Sequence, residues 1–174
     1  MFSVPTYIVL DLPPTVSAEV VELRKRFDEY EANLPPEITV AGSSGVGVLA
    51  ANQDSAFMFE AVERVGKKYL PFSTSFVSIE RFPGVPIFWL KPKDREPFDS
   101  LQSALVAAGV LFESSPFPFN PHCTISAIVD LSDEQECKLL SMAIPKQEFV
   151  MSTLGVYQLV DGQATPVKSF CFQR

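Results

Sequence analysis

The sequence contains few residues that could bind a metal or form a disulfide framework. It has one histidine, His122, and three irregularly spaced cysteines, Cys123, Cys137 and Cys171. These residues form no ligand set at the spacing of known metal sites, so neither a metal nor another cofactor is predicted. An odd number of unevenly spaced cysteines indicates free thiols in a reducing compartment, and we expect a cytoplasmic protein.

Long apolar segments and an excess of positive charge are also missing. The apolar run at residues 7–10 ends at Asp11 and Pro13, too early for a signal peptide, and no segment reaches the ~18 apolar residues of a membrane span. Lys and Arg number 14 against 21 Asp and Glu, a net charge of −7. The lack of a span argues against a membrane as partner. Because a surface with this charge repels a polyanion, long duplex nucleic acid is not an expected partner either, whereas a short or end-specific nucleotide ligand is compatible with it.

The residues that are abundant predict one well-packed domain. Hydrophobic residues make up 47% of the 174-residue chain, charged residues 20%, and there are 15 Phe. This composition excludes a disordered chain, and the length fits a single domain over residues 1–174, expected to be a monomer.

Apolar periodicity, capping residues and turn signals predict alternating strands and helices. In the first half we expect a strand at 6–12, a helix capped by Ser17 that continues to 34, strands at 38–40 and 46–50, and a helix from 55 capped by Asp54. In the second half we expect a hairpin around Pro83-Gly84, a helix at 98–108 ended by Gly109, a strand at 122–129, a helix opened by the capping box 132–135, and strands at 149–159 and 166–172 around the turn Asp161-Gly162.

Two short segments resemble each other and suggest an internal repeat. Residues 36–41 read PEITVA and residues 121–126 read PHCTIS; each is followed by a helix, then by Leu70-Pro71 or Ile144-Pro145, then by strands. The order predicts an α+β fold with two pseudo-symmetric lobes, each a small, mostly antiparallel sheet backed by helices. The two segments would face each other across a central cleft, where ligand pockets commonly form.

His122 and Thr124 carry the clearest chemical signal. Two residues apart on a strand, they leave the same face, so an imidazole that can transfer a proton lies beside a hydroxyl that can bind a phosphate oxygen. A structural histidine is the alternative. A nucleophilic Cys123 is disfavoured because neighbouring residues on a strand point to opposite faces.

Together these features resemble the 2H phosphoesterase superfamily, which includes the 2′-5′ RNA ligase-like and cyclic nucleotide phosphodiesterase proteins. The resemblance covers nearly the whole chain and rests on the opening YIVLDLP at 7–13, the amphipathic helix that follows, and the motifs at 36–39 and 121–125. It implies two acid/base residues, one in each half, and two Thr or Ser hydroxyls that hold phosphate without a metal. The matching positions are His122 and Glu37 for catalysis and Thr39 and Thr124 for substrate binding.

Glu37 departs from the family motif, which has histidine at this position. A carboxylate with an ordinary pKa of about 4.3 is ionised at neutral pH, so we expect Glu37 to act as the base and a protonated His122 as the acid. The resemblance implies a metal-independent hydrolase acting on a 2′,3′-cyclic phosphate or a 2′-5′ phosphodiester of a nucleotide or RNA end. The alternative is a catalytically impaired nucleotide- or phosphate-binding protein, because a carboxylate repels phosphate.

Other candidate residues are assigned to structure. Arg24 is placed on the polar side of the first helix with no ligand, and Trp89 in the core. The glycine-rich residues 42–47 favour a plain turn over a backbone nest for an anion, and Phe117 and Phe119 favour core packing over stacking on a base. Arg64, Lys67 and Lys68 are expected on a solvated helix face.

Overall fold

The computed structural model describes residues 2–173 and has a mixed α+β architecture, as the sequence predicts. Five helices are present in this part: α1 (Pro14–Arg24), α2 (Glu29–Ala32), α3 (Ser55–Gly66), α4 (Glu96–Ala107) and α5 (Asp133–Leu140). The nine strands are β1 (Thr6–Asp11), β2 (Glu37–Ala41), β3 (Phe72–Thr74), β4 (Phe76–Arg81), β5 (Phe88–Pro92), β6 (Cys123–Ser126), β7 (Phe149–Met151), β8 (Thr153–Val160) and β9 (Gln163–Cys171).

The strands form three antiparallel sheets. The largest has the order β2-β1-β8-β9, the second has the order β4-β5-β6, and β3 pairs with β7. One residue separates β3 from β4 and one separates β7 from β8, so the small sheet connects the other two. The two motif segments lie on different sheets: β2 is an edge strand of the four-stranded sheet and β6 an edge strand of the three-stranded sheet.

The helices that follow β1 and β5 pack on the sheet opposite to their own strands. Helix α1 comes after β1 but packs against β6, and α4 comes after β5 but packs against β2. Helices α3 and α5 pack on the sheets of the preceding strands, against β8 and β9 and against β4 respectively. The series β1-α1-β2-α3 and β5-α4-β6-α5 therefore follow the same path, which accounts for the repeat seen in the sequence.

The prediction of the first helix is wrong in two respects: the residue at which the helix begins, and its continuation as one helix to residue 34. Pro13 is the residue before α1 and provides no side-chain cap, so Ser17 lies inside the helix rather than at its N-terminus. The helix ends at Arg24, and Asp28 starts the separate α2 by accepting a hydrogen bond from the Glu31 N–H at 3.0 Å. At this interruption between the helices, the Asp28 carboxylate also binds the N–H of Ala127, 2.9 Å away in the other half of the sequence.

Three strand predictions also need correction. Residues 46–50 form no strand: Gly47 has φ +92°, and only the isolated bridge Leu49–Phe112 remains. A Cβ on Gly47 would lie 1.6 Å from the Glu113 carbonyl oxygen, so the loop needs glycine at this position. The strand expected at 122–129 is limited to β6, and the one at 149–159 is divided at Ser152, where the chain moves from the small sheet to the four-stranded sheet.

The local signals from capping and turn residues are confirmed. Asp54 caps α3 through the N–H groups of Ala56 and Phe57, and Ser132 and Gln135 form a reciprocal capping box on α5. Gly109 has φ +86° after α4, and Asp161-Gly162 forms the left-handed turn between β8 and β9. Within residues 2–173, no helix is long and apolar enough to cross a membrane.

Candidate active site between the two motif strands

A cavity of about 260 Å³ lies between the two main sheets and brings most of the predicted site residues together. Glu37 and Thr39 of β2 line it on one side and Thr124 of β6 on the other. Arg24, Glu31 and further residues from β1, the 42–48 loop and the β8–β9 hairpin complete the lining. His122 lies next to β6 but does not line this cavity.

Glu37 is the first residue of β2 and faces the cavity with Thr39. The Thr39 hydroxyl lies 3.0 Å from Oε1 and 3.1 Å from Oε2 of Glu37, and donates a hydrogen bond when the carboxyl is ionised. Asp11 of β1 is the cross-strand neighbour of Glu37, and its Oδ1 accepts a hydrogen bond from the Tyr157 hydroxyl at 3.0 Å. No ion pair to Glu37 is found among residues 2–173.

The surroundings of Glu37 favour its protonated form. Desolvation by burial raises the pKa of its carboxyl to about 8, and the nearby carboxylates of Asp11 and Glu31 act in the same direction. The Thr39 hydroxyl and the Arg24 charge oppose this effect without cancelling it. At neutral pH the carboxyl therefore carries a proton that it can donate.

His122 is held against an aromatic pair. Its ring packs edge-on against Phe82 and Trp89, with centroids 5.0 and 5.8 Å away, and these two rings stack on each other. Nδ1 lies 2.6 Å from the Asn120 carbonyl oxygen, which can only accept, so Nδ1 carries the hydrogen and Nε2 of the neutral ring has a free lone pair. Burial lowers the pKa of the imidazole below its ordinary value, although the Asn120 carbonyl opposes this shift.

These pKa directions bear on the roles expected from the sequence. An ordinary glutamate would have been the base and a protonated histidine the acid. In the folded chain Glu37 holds its proton more tightly than an ordinary glutamate and His122 less tightly than an ordinary histidine, because desolvation raises the pKa of the carboxyl and lowers that of the imidazole. Such a carboxyl is better suited to donate a proton, and such an imidazole to accept one.

Arg24 is the principal residue of this region that sequence reasoning misplaced. It is 3% exposed, and its guanidinium donates from Nε to the Thr124 carbonyl at 2.9 Å and from Nη1 to the Glu31 and Leu34 carbonyls at 2.8 and 2.9 Å. A signal was present in the sequence, because Arg24 follows Val20 by four residues and so falls on the apolar stripe of α1.

Most of the other residues considered in the sequence analysis lie where a structural role predicts. Cys123 is fully buried and burial raises the pKa of its thiol to about 11, which makes it a poor nucleophile. Trp89 and Phe119 are buried as expected, but Phe117 is 64% exposed and is not a core residue. Lys67 lies on an exposed helix face, paired with Glu63. Among residues 2–173 there is no group of three or more His, Cys, Asp or Glu that could hold a metal ion.

Comparison with solved structures places the fold. Escherichia coli LigT complexed with 3′-AMP superposes with a TM-score of 0.65 at 17% identity, covering 98% of this chain and 99% of that chain. The protein TT0787 of Thermus thermophilus gives 0.69 at 15% identity, over 97% and 98% of the two chains, and a crystal structure described as a phosphoesterase gives 0.63 at 15%, over 98% and 99%. A sequence search of curated proteins gives no significant match.

Family membership follows from the sequence itself. The model of the 2′-5′ RNA ligase superfamily matches residues 12–163, which include both motif strands and the helices between them. This match covers most of the chain and confirms the resemblance drawn from the two motifs. The protein therefore belongs to the 2′-5′ RNA ligase superfamily, within the 2H phosphoesterases.

Proposed function

We propose that the protein is a metal-independent phosphoesterase that hydrolyses a 2′,3′-cyclic phosphate or a 2′-5′ phosphodiester at a nucleotide or RNA end. The observation that carries this proposal is the convergence of Glu37, Thr39 and Thr124 on one cavity in a member of this superfamily. In this proposal Thr39 and Thr124 bind the phosphate oxygens, while Glu37 and His122 transfer protons.

The proton positions support a single hydrolytic step. Nε2 of His122 accepts a proton from water as the water oxygen forms a bond to phosphorus. The bond from phosphorus to one ribose oxygen breaks, and the Glu37 carboxyl gives its proton to that leaving oxygen. The step leaves a phosphate monoester, an imidazolium and a carboxylate, and proton exchange with solvent restores the starting forms.

The size and charge of the site favour a small substrate. A cavity of about 260 Å³ can take a phosphate with part of a ribose, and the chain's net charge of −7 opposes the approach of a long polyanion. A relative in the comparison, E. coli LigT, has been crystallised with 3′-AMP, a nucleotide of the size expected here. These features favour a cyclic mononucleotide or a single RNA terminus over a duplex.

A specific observation favours a second candidate, a nucleotide- or phosphate-binding protein with impaired catalysis. His122 does not line the cavity, and its ring is packed against Phe82 and Trp89. If the imidazole stays there when ligand binds, the cavity still offers Thr39, Thr124 and Arg24 to a phosphate but lacks a base.

The test is product formation from 2′,3′-cyclic mononucleotides and a 2′-5′-linked dinucleotide, with a chelator present. The wild type, His122→Ala, Glu37→Gln and Glu37→His are assayed in parallel, with Glu29→Gln as an exposed control on α2. We expect wild-type turnover that His122→Ala and Glu37→Gln each reduce at least about 100-fold, the contribution of a general acid or base. Activity gained only by Glu37→His supports the impaired binding protein, and wild-type activity that survives His122→Ala contradicts the proposed mechanism.

A further inference from the structure

Arg24 has donor groups that the protein does not fully use. Nε and Nη1 make three bonds of 2.8–2.9 Å to backbone carbonyls, which fix the plane of the guanidinium. Nη2 has only two long contacts in the described chain, 3.8 Å to Glu31 Oε2 and 3.9 Å to Cys123 Sγ. Since a buried guanidinium normally satisfies its donors at shorter distances, Nη2 is available to another acceptor.

Arg24 lines the cavity, where positive charge is otherwise lacking. Arg24 is the only basic side chain among the described residues that line it, and the acidic lining residues are Glu31 and Glu37. With Glu37 protonated, the Arg24 and Glu31 charges balance. A neutral lining with one preorganised donor suits a phosphate group with a single negative charge better than one with two.

We infer that Arg24 is a phosphate-binding residue of this cavity, that Glu31 competes with the ligand for Nη2, and that the site thereby selects monoanionic phosphodiesters over dianionic monoesters. The inference rests on the proposed function and specifies its substrate class. It also favours release of the product, since the diester substrate carries one negative charge and the monoester product carries two near neutral pH. Glu31 repels the product more strongly than the substrate.

Glu31 is placed to act as the competitor. Its side chain is 13% exposed, it lines the cavity, and desolvation raises the pKa of its carboxyl while the Arg24 charge lowers it. At 3.8 Å the pair is longer than a charge-assisted hydrogen bond, so an incoming phosphate oxygen can take the position facing Nη2 at small cost. Removing the Glu31 charge should therefore strengthen anion binding.

The experiment measures equilibrium binding of two probes that the enzyme cannot consume. Dimethyl phosphate is a monoanionic diester, and inorganic phosphate is mainly a dianion at about pH 7.5; both are titrated by NMR into the wild type, Glu31→Gln and Glu29→Gln. We expect Glu31→Gln to increase the affinity for dimethyl phosphate about four- to tenfold. The affinity for inorganic phosphate should increase by roughly the square of that factor, because Coulomb's law doubles the energy when the charge of the ligand is doubled. Glu29→Gln, an exposed change on the same helix, should leave both affinities within about twofold.

A second measurement distinguishes direct binding of the ligand by Arg24 from a general electrostatic effect of the Glu31 charge. The guanidinium resonances of wild-type Arg24 should shift on adding dimethyl phosphate, while those of the exposed Arg26 should not. Equal responses of Glu31→Gln and Glu29→Gln, or unchanged Arg24 resonances at saturation, would overturn the inference. Neither probe is a substrate, so binding with these properties but without turnover of cyclic nucleotides would reject the proposed catalysis and retain the phosphate site.

Discussion

Asp28 Oδ2 accepts a hydrogen bond from the backbone N–H of Ala127, 2.9 Å away and 99 residues along the chain. Oδ1 of the same carboxylate caps α2 through the Glu31 N–H. One buried side chain thus sets the N-terminus of α2 and ties it to the segment that leaves β6. The connection joins the helix that carries Glu31 to the segment after the strand that carries Thr124.

Replacing Asp28 by Ala should destabilise the fold by about 2–4 kcal/mol, because two backbone N–H groups lose a charged acceptor that is itself buried. Asp54→Ala is the matched control, since Asp54 is exposed and caps α3 without a contact to a distant segment. We expect it to cost about 1 kcal/mol. Urea unfolding of both variants gives the difference, and equal losses would show that the bond to Ala127 contributes nothing.

Arg24→Met should reduce the free energy of unfolding by about 3–5 kcal/mol, because three backbone carbonyls and the partly buried Glu31 lose their cationic partner. The exposed neighbour Arg26 provides the comparison: Arg26→Met should change stability by less than about 0.5 kcal/mol. Urea midpoints test the prediction, provided that the free energy of unfolding depends on urea concentration with the same slope in all three proteins. A loss below about 1 kcal/mol for Arg24→Met would argue against a structural role.

Glu37→Gln should stabilise the protein in a pH-dependent way. The pKa of Glu37 in the folded protein, about 8, lies above the ordinary value of 4.5. Its contribution to the free energy of unfolding is therefore fully present below pH 4.5 and is lost as the pH rises towards 8. Glutamine resembles the protonated carboxyl and avoids that loss. The variant should match the wild type near about pH 4 and exceed it by roughly 3 kcal/mol near pH 7.

Urea unfolding at the two pH values, with Glu29→Gln as an exposed control, provides the measurement. A constant difference between the Glu37→Gln and wild-type proteins at both pH values would mean that the folded pKa of Glu37 is not raised.

His122 should titrate below the ordinary histidine value of 6.5, because burial opposes its charged form. As the sequence contains one histidine, a single set of imidazole signals can be followed by NMR without assignment. Phe82→Ala removes one of the two rings packed on the imidazole and should move its pKa upward, towards 6.5. A wild-type pKa above 6.5 would restore His122 as the expected acid.

Local features of the fold were predictable from the sequence, whereas distant ones were not. The Asp54 cap, the capping box of Ser132 and the Asp161-Gly162 turn depend on residues within a few positions of each other. The meeting of β2 and β6 at one cavity could also be predicted, because the repeated motif carries that information. The interruption at Asp28 could not, since its carboxylate also binds the N–H of Ala127 from the other half of the chain.

The site shows the same division between local and distant information. Glu37, Thr39 and Thr124 were identified by their motif positions, and all three line the cavity. The sequence could not give the pKa shifts of Glu37 and His122, since these depend on desolvation in the folded chain. Arg24 was assigned to solvent because its charge outweighed its place on the apolar stripe of α1.

The exchange of α1 and α4 between the two sheets has a consequence for folding. A chain cut between β4 and β5 would give an N-terminal half that keeps α1 but lacks β6, and a C-terminal half that keeps α4 but lacks β2. Each half would expose the apolar face of a helix whose partner lies on the other fragment. We therefore expect the two halves to be unstable when separate, to recover structure only when mixed, and to melt in one transition when joined.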